Sequence, residues 1–378
     1  MFLVSGGGTG GHVYPSLAVA SALDHAGNAR VAYVGSPDGM EGDLVRRESA
    51  LPFYAIDAAA VRGRSAVALL QNVVRLLRGV VQAIQLVRRE RPVAIFGTGG
   101  YVCVPLFVAA WVMRVPRAIY LPDVVPGLAV RLLSRLATVT LGSIPDAAPY
   151  LQLTAVNAID WRDNRRQLAV AGYPVRTTIH PEAGVALRQQ LHIPIDTPLL
   201  LVYGGSRGAR SVNLAVAELL PHILPHAHVL HVCGREGDEA TLLDYKQHLP
   251  ATLQARYHLY PYLAADGAVT MTAALAAADF TVCRSGASVL GELPAAQLPA
   301  ILVPYPYVHQ DENADYLVRH NAAYKVSDTR LAEDLLPAVM HLMTDTTART
   351  AMRTAMTSLA RPDAAMHMAQ LLQRISKG

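Results

Sequence analysis

Twice in this chain a short apolar run empties into a glycine-rich turn that opens a helix. Val4 leads into Ser5-Gly-Gly-Gly-Thr-Gly-Gly-His12, and Val202 leads into Tyr203-Gly-Gly-Ser-Arg-Gly-Ala-Arg210. Further runs rich in Val, Ile and Leu, often followed by glycine, occur at Phe2–Val4, Val93–Phe96, Ala118–Leu121, Leu199–Tyr203, Val229–Cys233, Phe280–Cys283 and Ala300–Val303. Unbroken apolar runs of this length, alternating with helical stretches, mark strands buried on both faces of a parallel sheet. The pattern predicts an α/β chain of two Rossmann-like domains, with parallel sheets facing a central cleft. The 378 residues suit two domains at about 150 residues each. The boundary is expected near Ala171-Gly-Tyr-Pro-Val175, where a strand pattern meets a turn signal. Pro15 reads as a first-turn residue of the first helix and Gly27 as its stop.

Composition removes several other classes. Hydrophobic residues make up 52% and charged residues 16%, which excludes disorder over most of the chain. Cys103, Cys233 and Cys283 are far apart, excluding a disulfide scaffold and a cysteine-rich zinc site and suiting a reducing cytosol. No signal-peptide pattern is expected. The longest apolar stretch, Val102–Val115, holds Pro105 and Arg114 and is shorter than the ~20 residues of a membrane span. Aromatic residues are 6% and do not interleave with the arginines, which argues against a nucleic-acid surface.

The turns carry the chemistry. In Gly6-Gly-Gly-Thr-Gly-Gly11 consecutive glycines can turn backbone N–H groups toward a ligand at a helix N-terminus, or can simply make a tight turn. It is not the dinucleotide fingerprint, because no acidic residue ends the second strand, Arg30–Gly35. His12 follows at the edge where doubly wound sheets bind ligands, with the pKa range of a general base. The second turn adds Ser206, Arg207 and Arg210, a composition that suits an anion. A third strand–turn–helix, Cys283-Arg-Ser-Gly-Ala-Ser-Val-Leu-Gly-Glu292, predicts a helix from about Ala287 whose free amides hold a diphosphate. Glu292, one to two turns in, is either a ribose ligand or an acid complementing the helix dipole.

Gly6-Gly-Gly-Thr-Gly-Gly-His-Val-Tyr-Pro15, Gly97-Thr-Gly-Gly-Tyr101, Gly172-Tyr-Pro-Val-Arg176, Gly204–Arg210 and Cys283–Ala287 with Glu292 stand in the order seen in the MurG family. That family comprises the N-acetylglucosaminyltransferases that convert lipid I to lipid II in peptidoglycan synthesis. The resemblance runs from residue 1 to about residue 325. It implies a GT-B fold, inversion at the anomeric carbon, UDP-GlcNAc as donor and no metal or other cofactor. The chain also has no Asp-x-Asp triplet, which independently disfavours a metal-clamped sugar nucleotide. The implied domains are 1–172 for the acceptor and membrane, 173–350 for the UDP-sugar, and a C-terminal helix in 351–378 packing back toward the first.

Carried over residue by residue, the resemblance places Glu292 on the ribose hydroxyls and the backbone of Tyr262 and Leu263 on uracil. Ser206, Arg176 and the amides of Ala287, Ser288 and Val289 fall on the diphosphate, and His309 and Gln310 on the sugar hydroxyls. Thr9, Gly10 and Gly11 complete the donor set. Gly99, Gly100, Tyr101 and Asp123 fall on the acceptor side, and His12 or Asp123 is the base. The family's polar acceptor stretch is here Tyr120-Leu121-Pro122-Asp123, and the loop between Tyr307 and His309 is shorter. A related transferase acting on another lipid or small-molecule acceptor is therefore the alternative reading.

In Val67–Arg89 polar residues recur as one helical stripe at Gln71, Arg75, Arg78, Gln82, Gln85 and Arg89, and almost everything else is apolar. Residues 58–92 hold seven Arg and one Glu, net +6. The apolar excess packs internally or lies in a bilayer interface with arginines on lipid phosphates. The resemblance implies the second: a peripheral protein on the cytoplasmic face of the membrane, bound to a polyprenyl-pyrophosphate-linked acceptor.

Overall fold

The computed structural model describes residues 1–8, 10–25, 29–59, 66–175, 179–264 and 267–377. It divides into two compact units, Met1–Arg176 with Arg361–Gly378, and Thr177–Ala360.

In the first unit β1 (Phe2–Ser5), β2 (Val31–Gly35), β3 (Phe53–Ala55), β4 (Ala94–Gly97), β5 (Arg117–Leu121), β6 (Val139–Gly142), β7 (Thr154–Asn157) and β8 (Gln167–Val170) make one parallel sheet. Its order is β3-β2-β1-β4-β5-β6-β8-β7. The inner strands β1, β2, β4 and β5 are buried along their whole length, as their unbroken apolar sequence demands. Side chains alternate between two cores. Phe2 and Val4 join Tyr33, Phe96 and Tyr120 on one face, and Leu3 joins Ile95 and Ile119 on the other.

The first of these cores is closed by helix Gly10–His25 and by the chain's last helix, Ala364–Ile375, through Met368, Leu371 and Leu372. The expected C-terminal segment 351–378 is thus two helices. Thr346–Leu359 belongs to the second unit, and Ala364–Ile375 returns to the first. Pro362 explains the break: it has no N–H to continue a helix and pushes the residue before it out of the helical region. The crossing uses Gly172 (φ +99°), where a Cβ would come within 2.5 Å of the Arg361 Cβ.

Pro15 is not in the first turn. The helix begins at Gly10, so Pro15 is its sixth residue. The two preceding glycines take helical conformation, and the proline costs the helix only the bond to the Gly11 carbonyl. Gly27 lies outside the described residues.

The second unit repeats the plan. β9 (Leu199–Tyr203), β10 (His228–Val232), β11 (Tyr257–Tyr260), β12 (Phe280–Cys283), β13 (Ala300–Leu302) and β14 (Ala323–Lys325) form a parallel sheet in the order β11-β10-β9-β12-β13-β14. Leu200, Val202, Val229, Phe280 and Ile301 pack beneath helices Arg210–Ile223 and Leu331–Thr344.

A fully buried histidine lies inside this sheet. His231 on β10 is fully buried, with Nδ1 2.9 Å from the Tyr257 hydroxyl and Nε2 3.0 Å from Asn213 Oδ1. The neutral imidazole satisfies both partners, donating to the amide oxygen and accepting from the phenol. Burial pushes its pKa down to about 3, against the opposing pull of Asp238. His258 is likewise pushed down to about 4, by burial first, then by His228 and Lys246. A folded-state pKa below the unfolded value of about 6.5 means that the unfolded chain takes up protons first. Stability is therefore complete above pH 6.5 and is lost as pH falls toward these values. Urea unfolding of the full chain at pH 7 and pH 5 checks this. His231→Gln should lose about 2 kcal/mol less than the wild type over that interval. An identical loss in both proteins would show that His231 does not set the acid limit.

Candidate active site

In each sheet the chain order reverses beside the first strand, between β1 and β4 and between β9 and β12. The helices leaving the two strands diverge at such a point, and a crevice opens beyond the strands' C-terminal ends. Most of the expected site residues that the structure describes lie at these two edges.

On the first unit His12 sits in the first turn of helix Gly10–His25, with Nδ1 2.7 Å from the Thr98 carbonyl. A carbonyl only accepts, so Nδ1 carries a proton, and in the neutral ring the lone pair is on Nε2. Thr98 is itself fixed: its N–H donates to Ser5 O (3.1 Å) and its Oγ1 to His12 O (2.6 Å). Gly99 (φ +106°) and Gly100 (φ +80°) follow. A Cβ on Gly99 would lie 3.3 Å from His12 Cε1, and one on Gly100 would lie 2.5 Å from Gly7 O. Gly99, Gly100 and half-buried Tyr101 thus stand against His12 and the first glycine turn. Gly10 and Gly11 belong to this unit too. Thr9 lies outside the described residues.

The altered acceptor stretch is mostly core. Tyr120 and Leu121 are buried at the end of β5. The Tyr120 hydroxyl bonds Ser143 Oγ at 2.5 Å and donates to Gly172 O at 3.2 Å. Burial, and secondarily the charge of Asp123, holds that phenol well above its usual pKa. Pro122 is buried as well, so half-buried Asp123 is the polar group of Tyr120–Asp123 that can reach a substrate.

On the second unit the helix expected at Ala287 starts at Val289, so Glu292 stands in its first turn rather than deeper. The amides expected to be free are not all free. Val289 N–H turns back to Gly286 O at 3.1 Å, which leaves Ala287 and Ser288 as the open pair. Gln310 reaches this turn from the loop after β13. Its Oε1 accepts from Tyr305 N–H (3.0 Å), and its Nε2 lies where a Cβ on Gly286 would be 3.8 Å away. His309 does not join it; it is solvent-exposed, 3.7 Å from Glu312. The Glu292 charge acts on buried Tyr203, whose phenol is raised mainly by burial. Arg176 lies outside the described residues.

The arginines of the second glycine turn are not free cations. Arg207 pairs with Glu236 and Arg210 with Asp238, each at 2.5 Å. Both acids belong to Gly234-Arg-Glu-Gly-Asp238, the turn after β10, which sequence reasoning passes over although it has the same apolar-run-then-glycine form. The two turns touch through their glycines. A Cβ on Gly234 (φ +91°) would lie 2.2 Å from both Cα and N of Gly208. Arg235 N–H donates to Ser206 O (3.3 Å), and the Arg235 guanidinium lies 3.8 Å from the Tyr262 ring centroid. Leu263 beside it is buried. Arg284 was also passed over; it is tied to Asp328 at 2.5 Å and to Ser211 Oγ at 2.8 Å.

Two parallel α/β units, each with a glycine turn at its reversal point, define the GT-B architecture. Residues 2–141 match the glycosyltransferase family 28 N-terminal domain, and residues 199–368 the family 28 C-terminal domain. The UDP-N-acetylglucosamine–N-acetylmuramyl-(pentapeptide) pyrophosphoryl-undecaprenol N-acetylglucosamine transferase of Roseiflexus sp. (strain RS-1) is 50% identical, covering 98% of this chain and 94% of that one. The same enzyme of Desulforudis audaxviator (strain MP104C) is 36% identical over 99% and 98%. The crystal structure of Acinetobacter baumannii MurG superposes with a TM-score of 0.74 at 25% identity, covering 99% of each chain. The chain belongs to glycosyltransferase family 28 and, within it, to the MurG N-acetylglucosaminyltransferases.

The glycine contact offers a test of the site's construction. Gly234 and Gly237 (φ +94°) share a left-handed backbone, but nothing lies within 4 Å of a Cβ on Gly237. Gly237→Ala should cost about 1–2 kcal/mol of backbone strain alone. Gly234→Ala must also force the turns apart, so it should lower the melting temperature further and weaken UDP binding at least tenfold. Equal melting temperatures and equal UDP affinity in the two variants would show that the turn-to-turn contact is not needed.

Proposed function

We infer that this chain transfers GlcNAc from UDP-GlcNAc to undecaprenyl-pyrophosphoryl-MurNAc-pentapeptide, the lipid I to lipid II step of peptidoglycan synthesis. The observation that carries this reading is half identity to the Roseiflexus enzyme along nearly the whole of both chains. The first unit supplies the acceptor side and the second the donor side.

In the mechanism we favour, His12 is the base, because the Thr98 carbonyl holds the Nδ1–H tautomer, whose lone pair is on Nε2. Nε2 takes the acceptor proton as the acceptor oxygen bonds to the anomeric carbon. The bond from that carbon to the UDP oxygen breaks on the opposite face, giving inversion. Ser206, Arg176 and the amides of Ala287 and Ser288 meet the charge growing on the diphosphate. Glu292 holds the ribose, Tyr262 and Leu263 the uracil, and Gln310 the sugar. Asp123 contacts the acceptor with Gly99, Gly100 and Tyr101. No metal takes part in this scheme.

The assay is UDP release from UDP-GlcNAc with a soluble lipid I analogue, with and without EDTA. Release should depend on the analogue and be indifferent to EDTA. His12→Ala should lower kcat by about 10²–10⁴-fold, the usual worth of a positioned base. Tight UDP binding without analogue-dependent release would support the second reading, a different acceptor. Burial of Tyr120 and Leu121, where polar side chains are usual, favours keeping that reading in view.

We also assign a membrane surface to helix Ala66–Glu90. Its inner half packs on the core through Ala83, Leu86 and Val87. Leu70, Val74, Leu77 and Val81 are 66%, 57%, 61% and 56% exposed, a row of apolar side chains in water. Arg75 and Arg78 are drawn to Asp38 and Asp57, so part of the expected basic stripe is neutralised by the protein itself. Apolar insertion then outweighs contact with lipid phosphates. Among the described residues no helix is long and apolar enough to cross a membrane. Flotation with phosphatidylglycerol vesicles tests this assignment. Leu70→Glu with Leu77→Glu should abolish co-flotation and leave turnover of a soluble analogue unchanged. Undiminished flotation of the double variant would move the membrane surface elsewhere.

A further inference from the structure

At the C-terminal edge of the second sheet the cations are not equivalent. Arg207, Arg210 and Arg284 each have a carboxylate within 2.5 Å, from Glu236, Asp238 and Asp328 respectively. An adjacent carboxylate cancels much of the field that such an arginine would present to an anionic ligand. Arg235 is different. Among the described residues it has no carboxylate partner, it is exposed, and its guanidinium lies on the face of Tyr262 at 3.8 Å.

The stack matters chemically because a guanidinium has two separate binding surfaces. Its flat face meets the π-cloud, and its N–H donors lie in the plane and point outward from the edge. Packing over Tyr262 therefore restrains the group by cation–π attraction, with no donor tied up by a carboxylate among the described residues. The backbone is fixed as well. Gly234 is packed on Gly208, and Arg235 N–H is bonded to Ser206 O. The side chain thus runs between the turn carrying Ser206 and the end of the chain following β11, which carries Tyr262 and Leu263. In the donor reading above, on which this inference rests, those positions flank the diphosphate and the uracil.

We propose that Arg235 is a further donor-binding residue, whose guanidinium, held over Tyr262, pairs with the diphosphate of the UDP-sugar. Arg235 then makes the site prefer a nucleoside diphosphate to the nucleoside. Arg207 and Arg210 serve instead to lock the turn that carries it.

Isothermal titration of the full chain with UDP, and competition with uridine, tests the proposal in the wild type, Arg235→Gln and Arg235→Lys. Arg235→Gln should weaken UDP at least tenfold, as loss of a charge-assisted contact does. Uridine should change by less than twofold, and the salt dependence of UDP binding should flatten. Arg235→Lys should recover part of the UDP affinity, since it keeps the charge but not the fork. Unchanged UDP affinity in Arg235→Gln overturns the proposal. Equal weakening of UDP and uridine also overturns it, since the residue would then act only through Tyr262. A wild type that binds neither probe would remove the donor reading itself, and this proposal with it.

Discussion

A parallel sheet has no spare face. Its strands are joined by crossovers that lay helices on both sides, and its central residues are apolar on both sides to match. In the first unit the requirement is strict enough that the chain's last helix must return after the second unit is complete, to put Met368, Leu371 and Leu372 over β1, β4 and β5. With both faces used for stability, the strand ends are left for chemistry. The reversal of strand order beside β1 and beside β9 then selects where along each edge a substrate fits. His12, Gly99 and Asp123 on one unit, and Ser206, Glu292 and Tyr262 on the other, all follow C-terminal strand ends for this reason.

This constraint also explains what was readable in advance. Phe2–Val4, Leu199–Tyr203, Phe280–Cys283 and the other apolar runs all fall on strands, because burial on two faces leaves a continuous signal. β3, β7 and β14 lie at sheet edges, are three or four residues long and are partly exposed, so their sequences carry no such signal. The glycine turns were legible because each ends a buried strand. The ion pairs were not. Arg207 and Arg210 look like anion ligands until the fold brings Glu236 and Asp238 beside them from the next turn. Arg235 was overlooked for the converse reason: its partner is a ring 27 positions away, after another strand. The start of the helix at Val289 rather than Ala287 is of the same kind, since Ser285 Oγ and Asn313 tie the preceding turn to a distant helix.

The Tyr120–Asp123 stretch shows how a strand end can be absorbed into the core. Tyr120 points into the core, and the single polar atom of its side chain is absorbed by Ser143 and Gly172. Left unpaired, that hydroxyl would cost about 1–3 kcal/mol. Paired, it cross-links β5 to the segment just before the unit boundary. Tyr120 is therefore a structural residue, and Asp123 is the half-buried polar residue that closes the stretch.

The second unit instead uses buried polar groups to hold a surface. From the sealed His231, Asn213 continues through Nδ2 to Cys233 O and to Asp238 Oδ2, both at 2.8 Å, and Asp238 holds Arg210. Every member has its partner, which is the condition under which a buried polar chain rigidifies rather than destabilises. What it rigidifies is the turn from Gly234 to Asp238, the segment pressed against Gly208 and carrying Arg235. The same burial that depresses the His231 pKa thus keeps the imidazole neutral, and its hydrogen bonds unchanged, near neutral pH. A charged or vacant position there would free Asn213, then Asp238, and loosen the turn on which the exposed guanidinium depends.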